Sequence, residues 1–133
     1  MQQVASLMIC GKGQSWIFPY GVPAALLCEA VLHANNMRDI QQDQNAGITT
    51  LATTIGFRAS QALYWSMIMM AYGVAGLLAL LDHRGCTLAF LTIPLATAAI
   101  RNCKIESIRN LDEMTAKLHM LFGVLMTAGT LLF

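Results

Sequence analysis

The chain has 133 residues, of which 56% are hydrophobic and only 11% charged, with a formal net charge of +1. Ordinary soluble domains carry about a quarter charged residues, and a chain of this length folded in water could not solvate so much apolar surface. Composition therefore excludes a water-soluble domain and points to an integral membrane protein.

In chain order, Gln2 to Cys10 is apolar but too short to span a bilayer, and it lacks the basic start and cleavage pattern of a signal peptide. It reads as the tail of something that precedes it. Glycines 11 and 13 flank Lys12 without the strand and helix of a phosphate loop. About 20 residues of helix cross a hydrocarbon core, and four segments qualify by charge-free length. Residues 16–34 form the first, with Pro19 and Pro23 near its start and Glu29 inside. Residues 61–81 form the second and carry no charge. Residues 86–100 form a short third containing Pro94, so a kink or shielding by neighbours is expected. Residues 118–133 form the fourth, which is still apolar at the last residue, so both ends look cut. The expectation is an all-α integral membrane helical bundle, a single membrane domain over residues 1–133. Arg38, Arg58, Arg101, Lys104, Arg109 and Lys117 lie in the connections on one side, and only Lys12 and Arg84 on the other. The positive-inside rule makes residues 35–60 cytoplasmic.

The stretch "HANNMRDIQQDQNAGITTL", residues 33–51, concentrates polarity directly after an apolar run. If the first helix continues through Asp43 at about 100° per residue, then Glu29, His33, Asn36, Asp39 and Asp43 share an arc of about 120°. Arg38 points the opposite way. Such a stripe reads as the wall of a cavity rising to the cytoplasmic surface. An acid inside a span is expected to be functional, or else to pair with His33 one turn on. Carboxylates four residues apart repel, and a divalent cation removes the conflict. Magnesium is commonly held by one or two carboxylates while substrate phosphates complete its shell. Taken alone, D-x-x-x-D equally suits a polar helix end with Arg38 offsetting the charge.

The whole string "NNMRDIQQDQNAGITTLATTIG" closely resembles the second aspartate-rich motif of the UbiA family of membrane prenyltransferases. Its form, N-N-x-R-D-x-x-x-D-x-x-A-G-x-x-T-L-A, is similar to the branch that prenylates naphthoate or naphthoquinone rings to make menaquinone (vitamin K2), and within it to the animal type. The likeness extends through "IFPYGVPAALLCEAVLHANN", "TIPLATAAI" and "TAKLHMLFGVL". The resemblance implies the last four or so helices of a nine-helix bundle, with the N-terminal helices as the partner that completes the fold. It implies that Mg2+ bridges two aspartate motifs to the diphosphate of a polyprenyl donor, for example geranylgeranyl diphosphate. Ionisation then gives an allylic carbocation that an electron-rich aromatic carbon attacks. By motif position, Asn36, Asp39 and Asp43 are the implied metal ligands and Asp39 and Asp43 the catalytic pair. Asn35, Arg38, Glu29 and Lys117 are the implied substrate-binding residues. The organelles implied for a eukaryotic chain are the endoplasmic reticulum, Golgi or mitochondrion.

The departures are specific. No second D-x-x-x-D exists among Glu29, Asp82, Glu106, Asp112 and Glu113, so the first motif is missing. Gln44 stands where many relatives carry Arg, which weakens a diphosphate clamp, and Ile48 where microbial relatives carry Lys. A truncated relative without catalysis, acting as a membrane interaction partner, therefore stands as the alternative to an enzyme. Arg101, Lys104 and Arg109 read as interface markers, with Lys117 set apart by its "TAKL" context. His119 reads as a packed polar group, and Ala71, Ala75 and Ala79 as a small-residue contact ridge. Cys10, Cys28, Cys86 and Cys103 show no metal-ligand spacing. With no basic run, a nucleic-acid partner is not expected.

Overall fold

The computed structural model describes residues 18–81 and 84–132. The readings placed on Gln2 to Cys10, Lys12, Trp16, Asp82 and Phe133 lie outside them. Helix α1 spans Phe18–Arg38, α2 is the short Ile40–Asn45, and α3 is Leu51–Leu80. A 3₁₀ segment, Arg84–Thr92, leads into α4, Ile93–Asn102. A 3₁₀ turn, Ile108–Asn110, leads into α5, Leu111–Leu132. Among the described residues, two stretches are long and apolar enough to cross a membrane, Leu51–Leu80 and Ile108–Leu132.

Helical periodicity places the core. Leu27, Ala30, Ala34 and Met37 on α1 face Tyr64, Ile68, Ala71, Ala75 and Leu78 on α3, and Leu111, Leu118, Phe122 and Met126 on α5, all buried. Each set recurs every three or four residues once buried Thr115 is counted on α5, one stripe per helix. Helix α1 packs on α3 and α5, and the 3₁₀ segment packs on α5 and α3. Ala71 and Ala75 are fully buried, as a small-residue ridge requires. Gly85 and Gly129 carry the closest approach, since a methyl group on either would collide with the backbone of the other.

Polar groups in this core are chained. Thr115 donates its hydroxyl to the Leu111 carbonyl (2.6 Å), so the Tyr64 hydroxyl donates to Thr115 Oγ1 (2.7 Å). Thr92 donates to the Ala89 carbonyl, which leaves Tyr72 as donor to Thr92. Each hydroxyl is satisfied inside an apolar interior, where a lost partner costs most.

The structure revises three expectations. The first helix does not run through Asp43: it ends at Arg38, and Asp39, with φ −95° and ψ 5°, turns the chain before α2. The third segment is not one α-helix. Pro94, which lacks an N–H, sits in the first turn of α4, where no donor is missed. Before it, Thr87 and Thr92 hydroxyls bond carbonyls three residues back and support the tighter 3₁₀ winding. The second segment begins at Leu51 rather than Gln61, behind a Thr50–Thr53 capping box.

Helix α3 is broken early. Gly56 has φ 77° and ψ 168°, a conformation open in practice only to glycine. It lets the first turn of α3 angle away towards α2. A Cβ there would meet nothing within 4 Å, so a substitution is penalised through the backbone alone. Gly56→Ala is expected to destabilise the protein by about 1–3 kcal/mol, read as a lowered unfolding midpoint in detergent micelles. An unchanged midpoint would contradict the assigned backbone.

Candidate functional site at the junction of the first and last helices

The junction of α1 and α2 meets the start of α5. Arg38 is the hub. Its Nε donates to Asp39 Oδ1 (2.8 Å), and one terminal nitrogen donates to both Asp39 Oδ2 (2.9 Å) and Asn35 Oδ1 (2.6 Å). The other terminal nitrogen reaches across to Asp112 Oδ2 on α5. The Arg38 side chain is 32% exposed, Asp39 25% and Asp112 19%. These are partly buried charges, and charge-assisted bonds of this kind are the strong ones. Bonding by Arg38 holds the Asp39 carboxyl below its ordinary value of 3.8, outweighing the opposing effect of burial. The guanidinium is itself raised, first by its bond to Asp39.

Asp43 lies one turn past Asp39, half-buried, with its N–H on the Asp39 carbonyl (2.8 Å). Asn36 is half-buried as well. Helix α2 then ends in a Schellman motif: Ile48 N–H bonds the Asp43 carbonyl, Gly47 N–H bonds the Gln44 carbonyl, and Gly47 sits at φ 70°. The "NAGIT" letters thus stop the acidic helix one turn after Asp43.

Several expected members lie elsewhere. Arg38 does not point away from the stripe but bonds both carboxylate oxygens of Asp39. His33 leaves the stripe for the core, 2% exposed, where its Nε2–H donates to the Ser60 carbonyl (3.1 Å). Glu29 is exposed and is not paired with His33. Lys117, Arg101, Lys104 and Arg109 are exposed. Asp112 was missed. Only its place in the first turn of the last helix pointed to it, and no spacing rule links it to residues 38–39.

Among the described residues, no three His, Cys, Asp or Glu side chains are grouped to hold a metal by themselves. What is present is an incomplete shell: two carboxylates one turn apart at the polar end of the bundle. That fits a hard cation whose remaining ligands are water and phosphate. Arg38, Asp39, Asp43 and Asp112 carry one formal positive and three formal negative charges, a net charge that one divalent cation neutralises.

A groove of about 770 Å³ opens between the start of α1 and the outer face of α5. It is lined by Ala24, Ala116, His119, Met120, Gly123, Val124, Thr127, Ala128 and Leu131. Ala116 is one turn beyond Asp112, so the groove runs from the acidic junction along α5 for about 22 Å. His119 has a buried Nδ1 without a hydrogen-bond partner.

An all-helical bundle with an aspartate pair at its polar end and an apolar lane beside it defines a class, and the sequence agrees. The profile of the UbiA prenyltransferase family matches residues 3–127, and the chain belongs to that family, whose fold is a membrane helical bundle. It is similar to UbiA prenyltransferase domain-containing protein 1 of Homo sapiens, 39% identical over 122 residues, which cover 90% of this chain and 36% of the relative. The Mus musculus protein of that name is 38% identical over the same shares. That of Dictyostelium discoideum is 37% identical over 114 residues, 85% of this chain and 34% of the relative. The chain thus spans about a third of the length of the curated relatives it matches.

The lowered Asp39 value fixes a direction for acid stability. Because the folded value lies below 3.8, the Arg38–Asp39 bond contributes fully above that pH and is lost as pH falls through the folded value. Unfolding midpoints measured between pH 7 and pH 2.5 should therefore drop less steeply in Asp39→Asn than in the wild type. Identical acid limbs would show that this pair contributes nothing.

Proposed function

We propose that the chain forms the second-motif part of a membrane aromatic prenyltransferase, transferring a polyprenyl group from a prenyl diphosphate to a naphthoquinone or naphthoate ring in menaquinone (vitamin K2) formation. The observation that carries this reading is the Arg38 bridge, which ties Asp39 to Asp112, one turn of α5 before the apolar groove begins at Ala116. One end suits a diphosphate with its cation, and the other suits a hydrocarbon tail. Family membership and the relatives' names support prenyl transfer as the reaction. The "NNMRDIQQD" string supports the menaquinone branch.

In this reading Asn36, Asp39 and Asp43 hold Mg2+, which supplies charge neutralisation at the departing diphosphate when bound. The chain's own residues do the rest. Arg38 orients the Asp39 carboxylate through two hydrogen bonds, and Asn35 holds Arg38 in place. The walls of the groove exclude water from an allylic cation that water would quench. A first aspartate motif from the N-terminal helices completes the site, so the isolated chain is proposed to be inactive.

The test is a chimera. Residues 18–132 replace the corresponding segment of the human relative, and prenyl transfer from geranylgeranyl diphosphate is measured in membranes. Asp39→Asn and Asp43→Asn should each cut kcat roughly a hundredfold, since a neutral amide replaces a hard anionic oxygen poorly. Gln42→Asn, on the exposed side of α2, should stay within about threefold. Near-normal turnover in both aspartate variants would defeat the metal reading and favour a non-catalytic membrane partner.

A further inference from the structure

Arg38 closes α1, and Asp39 turns the chain beyond it. The guanidinium donates two hydrogen bonds to Asp39, through Nε and a terminal nitrogen, and a third to Asn35 one turn back. These local bonds leave the other terminal nitrogen to a partner outside α1. Among the described residues, the one bond to Arg38 from another long helix comes from Asp112.

Asp112 is placed for that task. It lies in the first turn of α5, where the helix dipole favours a carboxylate whatever its partner. Its Oδ2 takes Arg38, while Oδ1 is buried with no hydrogen bond. The side chain has thus given up hydration on one oxygen to make a single contact on the other. Leu111, its neighbour, is fully buried, so the backbone that carries Asp112 is fixed in the core. A rigid anion on α5 therefore sets where the α1 guanidinium sits, and the guanidinium sets both oxygens of Asp39.

We infer that Asp112 is a positioning residue for the aspartate motif: through Arg38 it aims the Asp39 carboxylate, and its charge offsets the arginine so that the site stays anionic enough to take a divalent cation. The inference rests on the metal reading proposed above and adds a residue that the motif does not contain. Without the Asp112 charge, Arg38 cancels one of the two motif carboxylates. With it, the cluster of Arg38, Asp39, Asp43 and Asp112 keeps the net charge that one divalent cation neutralises.

Two readouts on the full chain in lipid nanodiscs separate this inference from the broader reading. Nitrogen-15 NMR of labelled arginine side chains follows the Arg38 Nε–H signal, assigned by its loss in Arg38→Lys. Electron paramagnetic resonance titration follows binding of Mn2+ alone. Asp112→Asn should turn a slowly rotating guanidinium into a freely averaging one and weaken Mn2+ binding about tenfold or more. Asp112→Glu, which keeps the charge, should restore the NMR signature and bring affinity back to within about threefold of wild type. Asp112→Ser, which keeps a polar group in the first helical turn, stands in if the Asn variant does not fold. An unchanged Arg38 signal in the Asn or Ser variant would overturn the anchor. A freed Arg38 with unchanged Mn2+ affinity would overturn the positioning role. If the wild-type chain takes up no Mn2+, the titration moves to the chimera, which supplies the first motif, and no uptake there ends the metal reading and the positioning role together, while the Arg38 signal still reports whether Asp112 holds it.

Discussion

One guanidinium carries the architecture of the polar end. Arg38 closes α1, and its bonds to Asn35, Asp39 and Asp112 tie the last turn of α1 to the first turn of α5. Removing one partner of a partly buried ion pair strands the other and costs far more than the pair contributes over an apolar substitute. The arrangement therefore specifies geometry more than it adds stability. With α1 and α5 joined there, α3 and the 3₁₀ segment have fixed surfaces to pack on. The tyrosine–threonine bonds between α3 and α5 continue the same register deeper in the bundle.

The same tie separates two chemical environments. At the junction, carboxylates and amides crowd around a cation of the protein's own. One turn further along α5 the lining becomes Ala116, Met120, Gly123 and Val124. A diphosphate with a long hydrocarbon tail has this division of polarity. Fold and proposed chemistry meet at one point, the first turn of α5, which holds Asp112 at one end and begins the groove at the other.

Much of this was legible in the letters. The apolar content and the missing charges over residues 61–81 gave the membrane bundle, and N-N-x-R-D-x-x-x-D identified the family and its acidic pair. Boundaries were less legible. Charge-free length undershot α3 because the helix carries Arg58 inside it and starts ten residues earlier, before a bend at Gly56. Angular arithmetic placed Arg38 opposite the aspartates because it assumed an unbroken helix and a side chain governed by its own backbone. Asp39 turns the chain, and an anion 74 positions away recruits the arginine. His33 was misplaced for a related reason, since its acceptor is a carbonyl on α3. Contacts between helices distant in sequence leave no periodic trace in either helix. The membrane pattern and the motif leave one, because each is written locally.

The most direct measurement of the central claim is photoaffinity labelling of the chimera with the human relative, which supplies the first motif, by a prenyl diphosphate that carries a diazirine on its tail. The account predicts crosslinks on α5 between Ala116 and Leu131, dependent on Mg2+ and lost in Asp39→Asn. Labelling spread over the lipid-facing surface, or on α5 but indifferent to Mg2+ and to Asp39, would mean that the groove does not serve the aspartate pair.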